Sequence, residues 1–130
     1  MSAGHVYIVN TSLITPPKDK ITICLCASEN LFFWINTDPR PHNIGQLKLK
    51  KDDHAALSHD CHLDCSRVTT FPPAELATAK HRGIISPELA AQIVDYLTKH
   101  PPKTLAPKHL SLAISNLSSL YAPDVSGKDK

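Results

Sequence analysis

From His59 to Phe71 the chain reads His-Asp-Cys-His-Leu-Asp-Cys-Ser-Arg-Val-Thr-Thr-Phe, its densest run of titratable side chains. If the run is extended, side chains alternate between two faces. Cys61, Leu63 and Cys65 then share one face, and Asp60, His62, Asp64 and Ser66 share the other. Two residues of strand rise put His62 and Asp64 roughly 7 Å apart, a span that one phosphate group bridges. The expectation is a strand whose apolar face sits on a core while its polar face presents an acid and a base to solvent. Continued alternation would turn Arg67 inward and Val68 outward, against their chemistry, so the spacing predicts a bulge or bend at Ser66-Arg67.

Such a strand needs neighbours. Residues 5 to 10 read as a first strand, and Asn10 to Lys20, with Pro16-Pro17 and then Lys18, Asp19 and Lys20, as a loop. Ile21 to Ala27 and Leu31 to Asn36 flank the turn residues Ser28-Glu29-Asn30, which predicts a hairpin carrying most of the large aromatics. Pro39 and Pro41 confine Arg40 and His42 to an irregular exposed loop. Gln46 to Lys51 alternates apolar residues with Lys48 and Lys50, as an edge strand guarded by charge does; a solvated edge is the first reading of those lysines and a phosphate-binding stripe the second. Asp52 to Leu57 reads as a loop or one helical turn.

After Pro73 the period becomes helical. Ala74 to Lys80 predicts a short helix ended by Gly83. Ser86 is a candidate N-cap with Pro87 in the first helical position, opening a helix through about His100 whose Leu89, Ile93 and Tyr96 or Leu97 face the core. Residues 101–130 read as a C-terminal extension to a body spanning 1–100. Within it, a weaker helix from Pro107 to Leu120 is expected to pack against a partner, and Asp124 to Lys130 to be disordered.

With 130 residues and 42% hydrophobic content, the chain has the length and composition of one globular domain. No apolar run approaches a bilayer span, and Met1 to His5 lack the basic and apolar regions of a signal peptide, so the expected location is cytoplasmic, without a membrane. In a reducing compartment the four cysteines read as buried thiols. A net charge of +2 neither requires nor excludes a nucleic-acid partner.

Three motifs together carry a resemblance: Gly4-His5-Val6-Tyr7-Ile8-Val9, His62-Leu63-Asp64-Cys65-Ser66-Arg67-Val68 and Gly83-Ile84-Ile85-Ser86. Over about residues 4–99 the chain resembles the PemK/MazF-like toxins of type II toxin–antitoxin modules. That resemblance implies a mainly β fold with C-terminal helices (α+β), built as an SH3-like small barrel. It also implies a homodimer, an antitoxin protein as partner, single-stranded RNA as substrate, and cleavage without metal or other cofactor. Some members carry Arg-Cys-Asp-x-Pro-Arg at the second motif. Asp64 and Arg67 match its aspartate and second arginine, whereas His62 stands in the place of the first. The loop from Asn10 to Lys20 is shorter than the family's and offers only Lys18 and Lys20 as bases, so the resemblance implies a retained fold with altered or lost nuclease activity.

RNA cleavage by its own 2′-hydroxyl requires a base, an acid for the leaving 5′-oxygen, and cations for the phosphorane charge. Under this reading Asp64 is the base, His62 the acid, and Arg67 with Lys18 or Arg40 the charge stabiliser; Lys20, His42, Lys48 and Lys50 complete the RNA-binding set. Two other classes compete with it. One is a binding module without catalysis, for an antitoxin peptide or for nucleic acid. The other is a zinc site drawn from His54, His59, Asp60, Cys61, His62, Asp64 and Cys65, with Cys24-x-Cys26 as two further candidate ligands, whose spacing matches no recognised zinc motif.

Overall fold

The computed structural model describes residues 1–121. The expected disorder from Asp124 to Lys130 lies outside the described residues. The chain runs β1 (His5–Thr11), β2 (Lys18–Cys26), β3 (Leu31–Asn36), β4 (Gln46–Leu49), a single 3-10 turn (Lys51–Asp53), β5 (Cys61–Thr69), α1 (Pro73–Ala77), β6 (Lys80–Ile84), α2 (Pro87–Lys99) and α3 (Pro107–Ser118). The strands form one antiparallel sheet in the order β4-β5-β3-β2-β1-β6.

The α+β class with a mainly β body holds, but the sheet is open. β4 and β6 lie at opposite edges instead of pairing, so no closed barrel forms. A barrel removes its edges by closure; this sheet instead buries one apolar face under helices. That face carries Val6, Ile23, Leu25, Phe33, Ile35, Leu49, Leu63 and Cys65, all buried against Leu89, Ile93 and Leu97 of α2 and Ala113 and Leu117 of α3. Ser86 caps α2 as its sequence suggests, its hydroxyl accepting from Leu89 N at 3.0 Å.

Three more expectations change. The loop expected through Lys20 ends earlier, because Lys18 to Lys20 pair with β1 as the start of β2 and Lys20 is buried. Lys80 to Ile84 does not continue the helix: α1 stops at Ala77 and the segment pairs with β1 as an edge strand, with Gly83 inside it at φ +89°. The last helix does not wait for a partner. Ala113 and Leu117 are fully buried, and Asn116 Nδ2 donates to Leu25 O of β2 at 2.9 Å.

The opposite face is covered only in part. Tyr7, Val9, Cys24, Phe32, Trp34 and Phe71 form a second, smaller cluster there, with Ile14, Leu76 and Ala79 packed against it. Beyond that cover, towards β5 and β4, the face is polar.

Candidate anion-binding face

Antiparallel register sorts the polar face into two cross-strand rows. In one, Lys48 of β4 lies opposite His62 of β5, which lies opposite Asn36 of β3. Lys20 of β2 extends this row, its Nζ donating to Asn36 Oδ1 at 2.6 Å. In the adjacent row Gln46 lies opposite Asp64, Asp64 opposite Trp34, Trp34 opposite Thr22 and Thr22 opposite Tyr7. His62 and Asp64 therefore share a face, as alternation requires, and Cys61, Leu63 and Cys65 are buried on the other.

Their exposures differ sharply. His62 is partly exposed, with Nδ1 3.2 Å from Thr37 O. Asp64 is 1% exposed, which corrects the expectation of a solvent-facing base. Its Oδ1 accepts from Gln46 Nε2 at 2.8 Å, from Ser66 N at 3.0 Å and from the Ser66 hydroxyl; its Oδ2 is paired with Arg40 Nε. Burial works against the charged carboxylate, but the hydrogen bonds from Ser66, Arg40 and Gln46 outweigh it and hold the pKa below the ordinary value. A carboxylate so occupied is a weak proton acceptor and a strong structural anchor. It fastens the Arg40 loop to β5, and Arg40 N in turn donates to Gln46 Oε1 at 3.1 Å.

That loop lies close enough to β5 to demand glycine. Gly45 has φ +67°, and a Cβ there would stand 2.8 Å from Ser66 N. Its carbonyl accepts from Cys65 N at 2.7 Å. Here the predicted bulge occurs: between the pairs Trp34↔Asp64 and Phe32↔Thr69, β5 runs five residues while β3 runs two. The displaced stretch turns Arg67 out of the alternation that would have buried it. Its guanidinium lies 5.6 Å from the centroid of the Trp34 ring, and Lys20 Nζ lies 5.4 Å from the same centroid.

Trp34 is 7% exposed, and its Nε1 is buried without a hydrogen-bond partner among the described residues. An unpaired buried donor of this kind costs about 1–3 kcal/mol. Lys20 is 8% exposed, and no carboxylate among the described residues lies within ion-pair distance of it. Burial, then Lys18 and Arg40, lower its pKa, while Asp64 acts the other way. The arrangement concentrates positive charge where its single buried carboxylate is already neutralised.

The remaining sequence candidates sit around this centre. Lys18 and Lys48 are exposed on β2 and β4, and Lys50 is exposed just past β4. His42 is exposed in the Arg40 loop, its Nδ1 accepting from Ile44 N at 2.9 Å. Trp34, Asn36 and Gln46 were not among the sequence candidates. Alternation puts Trp34 and Asn36 on one face of β3, but only the hairpin register places Lys20 on that face. The cysteines are free and buried; burial pushes the Cys24 thiol up to about 11 and raises those of Cys61 and Cys65. No three His, Cys, Asp or Glu side chains converge into a metal-binding group among the described residues. No helix among them is long and apolar enough to cross a membrane.

Comparison with family models, with curated proteins and with solved structures returned no match.

Proposed function

We propose that this protein binds single-stranded RNA on the polar face of its sheet, as a binding module whose catalytic capacity is weak or lost. The observation that carries this reading is one sheet face on which Lys20 and Arg67 lie at the Trp34 ring, Lys48 and His62 form the adjacent cross-strand row, and Asp64 is already paired to Arg40. Cations that track a phosphate backbone beside an aromatic ring are the recurring components of single-strand binding. The resemblance to PemK/MazF-like toxins points to the same ligand, and with it to a homodimer and an antitoxin partner.

A second reading, cleavage, is favoured by the position of His62, a partly exposed imidazole between Lys48 and Asn36. It requires a proton acceptor other than Asp64, whose oxygens are already engaged.

Both are tested by titrating end-labelled single-stranded RNA across a range of salt and running the same samples on a denaturing gel. Binding through three or four phosphates gives a slope of log K against log salt of about −2 to −3. Intact RNA at every concentration supports the binding module. Products that disappear in His62→Ala support the ribonuclease, and RNA that is neither retained nor cut at low salt removes both.

A further inference from the structure

We infer that Trp34 and the two cations beside it form a binding unit for one nucleotide, with the base against the indole beside Arg67 and the phosphate at Lys20. The inference rests on the single-strand reading above and specifies where that strand is gripped. Four observations converge. Lys20 is 8% exposed as a residue and the close partner of its ammonium is the neutral Asn36 Oδ1, so its charge lacks a counter-anion among the described residues. Trp34 Nε1 is a buried donor without an acceptor. A shallow depression of about 320 Å³ adjoins the indole, lined by Leu13, Trp34, Arg67, Val68, Thr69 and Thr70. A second, of about 370 Å³, lies where β2 begins and β3 ends, lined by Lys18, Lys20, Asn36 and Thr37 and also by Asp19 and Asp38.

Each deficiency is one that a nucleotide supplies. A phosphate provides the anion that Lys20 lacks, and base or ribose oxygens provide acceptors for an indole N–H. Arg67 reaches its position only through the bulge, and it lies on the ring by cation–π contact without a carboxylate to fix it. Trp34 is 7% exposed and lies in a stacked arrangement with Phe71, so a base entering the depression reaches the indole by moving the guanidinium aside, and that movement changes the surroundings of Trp34. Stacking on an aromatic ring tolerates all four bases, which suits a strand recognised by form rather than by sequence.

Because Trp34 is the chain's one tryptophan, its fluorescence reports this site directly. The full chain is titrated at low salt with an eight-nucleotide oligo(A), binding being followed independently by anisotropy of a labelled copy, and in parallel with inorganic polyphosphate. The expected result is saturable quenching of Trp34 emission by half or more with oligo(A), and less than a tenth with polyphosphate. Arg67→Ala is expected to weaken oligo(A) about tenfold and polyphosphate no more than threefold, and Lys20→Gln to weaken both about tenfold. Oligo(A) that binds by anisotropy while Trp34 emission is unchanged overturns the nucleotide unit and leaves the single-strand reading standing. Oligo(A) that fails to bind at all overturns both. The fluorescence comparison uses the native chain, so it stands even if a variant does not fold.

Discussion

The two faces of the sheet are built to opposite specifications. Under α2 and α3, Phe33, Leu25, Leu63 and Cys65 are fully buried among apolar neighbours, a surface closed on itself. On the opposite face of the same strands lie Trp34, Lys20, Asp64 and Ser66, where among the described residues a buried indole N–H lacks an acceptor and Lys20 lacks a counter-ion. One strand, β3, contributes Phe33 to the first face and Trp34 to the second. Proteins bury polar groups with their partners present, so a face that breaks this pattern next to one that keeps it is where the proposed ligand is placed.

The contrast yields graded expectations. Phe33→Ala removes a ring from the closed face and should lower stability by about 3–5 kcal/mol, read as a shifted urea midpoint. Any RNA retention by the fraction still folded should be unchanged. Gly45→Ala forces a Cβ against Ser66 N at a left-handed φ, which should cost about 1–3 kcal/mol and loosen the Arg40 loop. Unlike Phe33→Ala, it should also weaken RNA binding in the folded protein. An alanine at position 45 that changes neither property would show that the loop's approach to β5 does not shape the polar face.

Asp64→Asn is the smallest of the three, about 1–2 kcal/mol, because Arg40 is partly exposed and water recovers some of its lost partner. Its signature is the pH dependence. The folded pKa of Asp64 lies below the ordinary 3.8, so the folded state holds the proton less tightly than the unfolded chain. The stabilisation is complete above 3.8 and is lost as the pH falls from there through the lowered folded value. Urea midpoints of the native chain should therefore converge on those of Asp64→Asn as acid is added. Parallel curves down to the acid transition would mean that the carboxylate is not held in its charged form.

Much of this was legible in the sequence, for identifiable reasons. The alternation in Cys61 to Cys65 fixed which side chains share a face, and the misplacement of Arg67 revealed the bulge before any coordinates did. Ser86-Pro87 marked a helix start because capping is a local matter. The alternating lysines of β4 marked a true edge strand. What stayed hidden depends on distant chain segments. β6 has only Ile84 as a large apolar side chain, so no period-2 pattern announces it; its strand character comes from pairing with β1. Asp64 reads as a free carboxylate until Arg40, from another loop, is placed upon it. Trp34 and Lys20 meet only once the hairpin register is known.

The central claim is that RNA is held on one face of the sheet and not the other. Backbone amide chemical shifts, recorded on the full chain with and without a short single-stranded RNA, test it most directly. The account predicts perturbations clustered at Lys20, Trp34, Asn36, Lys48, His62 and Arg67, with α2 and α3 silent. Shifts centred on α2 and α3, or none at a concentration where binding is measured by other means, would contradict it.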